Sequence, residues 1–340
     1  MSFFKKLTAL VMLFLTGAAA VFSCYLILPK KVTLTKYEPT VSVINNIEKA
    51  LNLSSNKTSS ANKSTSSDTV LTAAKAEVMG AIKTEVISPY KAPISYNKVY
   101  MKNQAGVNID IKKELKTPLS IKIKKSKEPE VLIFSTHTTE SYMLEDRNYY
   151  TKSDATGTTD STKNVVKIGS IIKSKLEAAG ISVVQADTIH DHPKFSGCYD
   201  RSAETVKSYL KKYPSIKVVI DVHRDSVNYD DGTKVKPTVK INGKKAAQVM
   251  LVAGCETGSV ENFPNWKENL RLAMKLHQCI EVMYPSLARP ITFTARRYNL
   301  HLTNGSMLIE IGTEANTLEE ASFSAELVGN ALVSLLNMQK

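Results

Sequence analysis

Cysteine is scarce in this chain and badly spaced for cross-linking. The 340 residues contain four, Cys24, Cys198, Cys255 and Cys279, with no C-x-x-C pair among them. That pattern excludes a disulfide framework; one pair among the last three would leave the third thiol free. Acidic charge is also short, since 32 Asp and Glu stand against 45 Lys and Arg, a formal net charge of +13. Such an excess draws a protein toward anionic surfaces, either lipid or the acidic polymers and peptide carboxylates of a cell wall. The plain alternative is a solvated basic face with no specific partner. No nucleic-acid-binding motif is present, and the lysines are scattered rather than interleaved with aromatics, which argues against nucleic acid. No internal repeat organises the chain.

What is present begins with an uncharged stretch from Leu7 to Leu28, preceded by Lys5 and Lys6 and closed by Lys30 and Lys31. At about 1.5 Å per residue it spans roughly 33 Å as a helix, enough to cross the hydrocarbon core of a bilayer. A cleavable signal is the rival, because Ala18, Ala19 and Ala20 would suit signal peptidase. The apolar run continues through Val21, Phe22, Tyr25 and Leu26, so residues 1–31 are read as an uncleaved membrane anchor. Val21, Phe22 and Ser23 before Cys24 lack the small residues of a lipid-attachment site. The expected location is the cell membrane, with one N-terminal pass and the rest of the chain outside the cytoplasm.

Residues 32–90 read as a low-complexity tether with short helices. The segment 54–68 is nearly all Ser, Thr, Asn, Lys and Ala, which cannot bury a core, whereas 70–86 has helical composition. The catalytic domain is expected over 91–340. Strands are predicted at 131–136, 181–186, 217–222, 247–253, 291–296 and 306–312, and 143–162 is predicted as a polar loop. Helices are predicted over 164–179 (ended by Gly180), 201–213 (stopped by Pro214), 266–283 (capped by Asn265) and 319–337. Strands alternating with long helices predict an α/β fold, a mostly parallel sheet with helices on both faces.

Three of the apolar runs carry chemistry. VLIFST at 131–136 and KVVIDV at 217–222 each deliver a histidine at the C-terminal end, His137 and His223, and MLIEIG at 307–312 holds Glu310 inside it. A carboxylate in a buried strand is costly without a partner or a task. Ligands in open α/β sheets bind at the carboxyl ends of the strands, where the two histidines would converge. Hydrolytic zinc takes about three His or carboxylate ligands and keeps one position for water. His137 and His223 are the natural first two. Glu140 is the third, because three residues separate it from His137, one turn if the loop turns helically; H-x-x-E alone is a weak signal. Glu310 is then the general base or a carboxylate that stabilises the transition state, its bland alternative being a salt bridge to Arg224 or Arg297.

Asp221 or Asp225 is expected to accept the imidazole N–H of His223 and fix its tautomer. His190 and His192 form an H-x-H in a polar loop, more suited to lining a cleft or capping the next helix than to holding metal. His277 falls within a predicted helix and reads as structural, while His301 fits either a core or a substrate-facing role. Nothing marks Cys255 as a reactive thiolate.

These residues resemble the stage II sporulation protein P family of endospore-forming bacteria. The resemblance runs from about Tyr96 to the C-terminus through IFSTHTTESY at 133–142, IHDHPKFSGCYDRS at 189–202, VIDVHRDS at 219–226 and MLIEIGTEANTLEEA at 307–321. That family is similar in turn to the zinc-dependent N-acetylmuramoyl-L-alanine amidases, so an amidase-like fold is implied. Their His, Glu and His ligands and late catalytic Glu would fall on His137, Glu140, His223 and Glu310. In the wider amidase group the ligand Glu lies further beyond the first His, so the resemblance leaves an acidic residue in or beside the 143–162 loop as the alternative third ligand, Glu145 being a candidate. The resemblance implies Zn2+ as cofactor, peptidoglycan as substrate and cleavage of the muramoyl–L-alanine amide. It also implies endopeptidase activity on cross-links and cooperation with sporulation proteins D and M in engulfment. Two other readings compete: a wall-binding scaffold of weak turnover, and a metal-independent hydrolase using Glu310 with a second carboxylate, as glycosidases do.

Overall fold

The computed structural model describes residues 77–154 and 156–338; the anchor expected at 1–31 and the tether as far as residue 76 lie outside them. Among the described residues no helix is long and apolar enough to cross a membrane. The order of elements begins with β1 (Val78–Glu85), β2 (Ile94–Tyr96), β3 (Val99–Asn103) and helix α1 (Ile111–Lys116). Next come β4 (Val131–Phe134), β5 (Tyr149–Thr151), α2 (Val165–Ala178), β6 (Val183–Gln185) and α3 (Cys198–Lys212). β7 (Val218–Asp225), β8 (Lys234–Ile241), β9 (Lys244–Ala247) and β10 (Val249–Gly254) follow. The remainder is α4 (Trp266–Met283), β11 (Ile291–Thr294), β12 (Ser306–Thr313) and α5 (Leu318–Asn337).

The central sheet has eight strands in the order β2-β3-β11-β10-β12-β7-β4-β6, and a smaller sheet has four in the order β5-β1-β8-β9. The expected mostly parallel sheet is corrected to mixed sheets: β10 pairs antiparallel with β12, β2 with β3, β8 with β9 and β1 with β5. For β8 and β9 the reason lies at Ile241-Asn242-Gly243-Lys244. Asn242 (φ 51°) and Gly243 (φ 79°) both take positive φ, the backbone of a two-residue hairpin turn. The chain doubles back there and passes from β9 into β10 with only Gln248 between them. β10 itself pairs in the other sheet, parallel to β11 and antiparallel to β12, strands that follow it in the chain.

Two further expectations change. Residues 78–85, predicted helical by composition, form β1, because that segment fills the place between β5 and β8 and pairs with both. The folded unit therefore takes in part of the stretch assigned to the tether before residue 91. The polar loop 143–162 contains β5, the other neighbour of β1.

Strand alternation decides which face each side chain meets. From β7, Val218, Ile220 and Val222 join Met307, Ile309 and Ile311 of β12 in one large buried cluster with apolar residues of α2, α4 and α5. Val219, from the other face of β7, packs with Val206 of α3, and Leu308 packs with Val252, Phe263 and Leu300. Asp221, His223 and Glu310 share that second face by parity. It is covered by one long helix and loops rather than three helices, and the site lies in the uncovered part. The ends of the covering helices are fixed locally. Asn164 accepts from Val166 N at the start of α2, and Thr317 with Glu320 forms a capping box at the start of α5. Asn265 precedes α4 as expected but makes no side-chain cap; its amide donates to Thr303 O at 2.6 Å instead.

Candidate metal centre

His137 and Glu140 sit on a tight turn just beyond β4, closed by Glu140 N donating to His137 O at 3.1 Å. Two aspartates fasten it. Asp221 accepts from Thr136 N at 2.8 Å and from Thr136 Oγ1 at 2.6 Å, while Asp191 accepts from Thr139 Oγ1 at 2.7 Å and more distantly from its N–H. The turn brings His137 Nδ1 to 3.1 Å from Glu140 Oε1. The other carboxylate oxygen lies 3.3 Å from His223 Nδ1 and accepts from Arg224 N at 3.0 Å. The Glu140 carboxylate thus stands between two imidazoles whose centroids are 4.9 Å apart. His137, Glu140 and His223 each offer a ligand atom, all within 4.8 Å of one another. Glu310 is placed by strand pairing, directly opposite His223 in the parallel β12–β7 ladder.

Electrostatics separate the two glutamates. Burial raises the Glu140 carboxyl, but His223, His137 and Arg224 outweigh it and hold the group well below the usual carboxylate range. Glu310 goes the other way. Burial pushes it up to about 8, Glu140 and Asp225 adding to the rise against the pull of His223 and Arg289. Burial lowers His223, yet Asp221 and Glu140 together carry it well above its ordinary value.

The donor set suits a divalent cation: two imidazoles and one carboxylate, with room for a further ligand. An orphaned polar atom agrees: Glu310 Oε2 is buried without a hydrogen-bond partner among the described residues. Asp221 Oδ1 is 2.9 Å from His223 Nε2, an ion-pair distance. Of the two aspartates expected to steady His223, Asp221 is therefore the one beside the ring; Asp225 pairs with Arg289. Arg224 does not pair with Glu310 but reaches Glu314 at 3.7 Å and the carbonyls of Ser141 and Thr156. Arg297 makes no ion pair to Glu310 either; its guanidinium approaches Glu261 O. Glu145, the alternative ligand, is 76% exposed and pairs with Arg147 at 3.5 Å; it stands outside the cluster.

The cavity over these groups has a volume of about 250 Å3, and Tyr199, Tyr298, Val252 and Leu308 complete its wall. Phe195, exposed on the 189–202 loop, lies against the His137 ring at 4.9 Å, and Tyr199 meets it edge-on at 5.5 Å. His190 is buried, with Nδ1 2.8 Å from Ser135 O and Nε2 2.9 Å from Thr205 Oγ1. Both its nitrogens are engaged, so it braces the loop against β4; His192 is exposed. His277 is buried with Nε2 3.2 Å from Arg289 O, and burial lowers it to about 4. His301 packs against Phe263. Cys255 is buried and its thiol is pushed up by that burial, the reverse of an activated nucleophile. Cys198, Cys255 and Cys279 are free. Thr136, Thr139, Asp191, Phe195, Tyr199 and Tyr298 were not legible as site residues. All are common loop or helix residues, and the only signal was nearness in sequence to the histidines.

A mixed α/β domain with a two-histidine, one-glutamate cluster of metal-binding geometry defines the class of protein. The model of the family described as Stage II sporulation protein P matches residues 30–333, and the chain belongs to that family. It is 30% identical over 206 residues to Stage II sporulation protein P of Bacillus subtilis (strain 168), the match covering 57% of this chain and 48% of that relative, about half its length. Among solved structures, the chain is similar to the CwlD amidase of Clostridioides difficile in complex with the GerS lipoprotein. That likeness has a TM-score of 0.38 and 10% identity, over 62% of this chain and 98% of that one. It is also similar to the N-acetylmuramoyl-L-alanine amidase AmiC2 of Nostoc punctiforme, with a TM-score of 0.37 and 14% identity over 63% and 97%.

Proposed function

We propose that this protein is a zinc-dependent peptidoglycan hydrolase that cleaves the amide between muramic acid and the L-alanine of the stem peptide. The observation that carries the reading is the convergence of His137, Glu140 and His223 within 4.8 Å in the same small cavity as Glu310. Family membership and the net charge of +13 support a cell-wall substrate.

Held by His137, Glu140 and His223, Zn2+ would supply a Lewis acid and lower the pKa of a coordinated water toward about 7. Glu310 takes the proton from the attacking water as its oxygen adds to the carbonyl carbon. The carboxyl then returns that proton to the amide nitrogen as the C–N bond breaks, leaving a muramoyl carboxylic acid and a free peptide amine. Glu310 lies in the same small cavity as the cluster and opposite His223 in the sheet, where one carboxyl can serve both halves of that exchange. Asp221 orients the His223 ring, Arg224 N holds Glu140, and Phe195, Tyr199 and Tyr298 offer faces for sugar and peptide at the rim. The reading extends to endopeptidase action on cross-links at the same centre. It also includes an N-terminal membrane anchor with the domain outside the cytoplasm, and work with sporulation proteins D and M in removing septal wall during engulfment.

Purified protein incubated with peptidoglycan is expected to release free stem peptides, identified by mass spectrometry. A chelator should stop the release and added zinc restore it. Sugar fragments without peptide release, or indifference to chelator, overturn the reading. Asp221→Asn is expected to weaken zinc binding by about 10–100-fold, measured by competition with a chromophoric chelator, because the ring would lose its anionic neighbour; unchanged affinity removes Asp221 from this role.

A further inference from the structure

Beyond the catalytic cavity lies a wider cleft of about 820 Å3, between the 258–262 loop and residues 294–297 that leave β11. Two of its lining residues are Arg296 and Arg297, both exposed. The arginine–carboxylate pairs among the described residues are made by Arg147, Arg224, Arg271 and Arg289; Arg296 and Arg297 make none. Arg297 Nη1 reaches only Glu261 O, at 3.5 Å, and Glu261 supplies the one carboxylate of the lining.

The backbone that presents these arginines is fixed. Arg296 N donates to Thr294 O at 2.9 Å, and a Cβ at Gly254 would meet Arg296 O at 2.0 Å, so this turn lies flush on the end of β10. The next residue, Tyr298, lines the catalytic cavity. The two spaces therefore flank one short stretch of chain, and Arg296 is near enough to the Tyr298 hydroxyl to oppose its burial-raised pKa.

We propose that Arg296 and Arg297 bind a carboxylate of the same stem peptide whose amide is cut in the neighbouring cavity. The proposal rests on the hydrolase reading and names the part of the substrate that selects the site. Guanidinium groups match carboxylates through paired, charge-assisted hydrogen bonds. A cavity of about 250 Å3 admits the scissile amide and little more, so the peptide beyond it must lie outside, where the larger cleft is.

The test uses full-length protein and two soluble muropeptides, one with free carboxylates and one with those carboxylates converted to amides. Arg296→Gln with Arg297→Gln is expected to raise KM for the free acid about tenfold while kcat stays within about twofold. KM for the amidated substrate, already higher with the parent protein, should not move. The proposal is overturned if the double variant matches the parent on the free acid, or loses equally on both substrates at an unchanged melting temperature. Binding of the free-acid muropeptide to the same proteins, followed by calorimetry, separates the two readings. Arginine-dependent binding without any turnover by the parent sinks the hydrolase and keeps the anion site; turnover with arginine-independent binding does the reverse.

Discussion

Glu310→Gln is expected to leave zinc content unchanged and to lower hydrolysis of peptidoglycan about a thousandfold, ~4 kcal/mol of barrier. Glutamine keeps the shape of the side chain but holds no exchangeable proton at the right affinity. Glu310 sits opposite His223, beside the metal-binding cluster rather than in it, which is why turnover and zinc content should separate. Full activity in the variant removes Glu310 from the mechanism; loss of zinc makes it a ligand. A second readout tests the electrostatics in the metal-free protein. A carboxyl raised to about 8 from an unfolded value near 4.5 costs nothing below pH 4. Its cost grows as pH rises through 4.5 and is complete above about 8. Metal-free Glu310→Gln should therefore resist denaturant better than the metal-free parent at pH 8 and match it at pH 4. Equal denaturation midpoints at both pH values would contradict the raised pKa.

Glu140→Gln is expected to lower zinc affinity more than about 100-fold, beyond the loss of an outer partner, and to abolish turnover. Neutral glutamine still accepts from Arg224 N, so the turn keeps its shape while the ligand charge disappears. The matched control is Glu145→Gln, which should change neither property because Glu145 is a surface residue paired with Arg147. Zinc stoichiometry by atomic emission decides between them. Retention of zinc in Glu140→Gln with loss in Glu145→Gln would move the third ligand into the loop that resemblance to the wider amidases had suggested.

Much of the site was legible because its chemistry is local. His137 and His223 follow runs whose β-forming residues name them as strands, and Glu140 lies three residues beyond His137, within reach once the loop turns, as it does here through Glu140 N to His137 O. Glu310 stood out because a carboxylate amid Met307, Leu308, Ile309 and Ile311 contradicts its setting. The helices at 165–178, 266–283 and 318–337 were legible within a residue or two, since their caps and breakers are written in the chain. The Asn242-Gly243 dipeptide is a strong turn signal and marks the antiparallel β8–β9 pair; the antiparallel pairing of β10 with the later β12 has no such local signal.

The sequence by itself determined the residues able to carry acid–base and metal chemistry and the family, while the structure sets His223 inside β7 rather than just past its end. Side-chain type and short-range periodicity are local properties. Only the tertiary structure decided that β1 is a strand against its helical composition, because that depends on the open places beside β5 and β8. It alone chose Asp221 over Asp225 beside His223, set Asp191 against the His137 turn and engaged His190 on both nitrogens. Those choices turn on which distant groups meet once the sheet has closed: Asp221 with Thr136, Asp225 with Arg289, Asp191 with Thr139 and His190 with Ser135. The same holds for the face on which Glu310 lies: parity along β12 says that it opposes Ile309 and Ile311, but only the packing of three helices on one side shows which side is left open for chemistry.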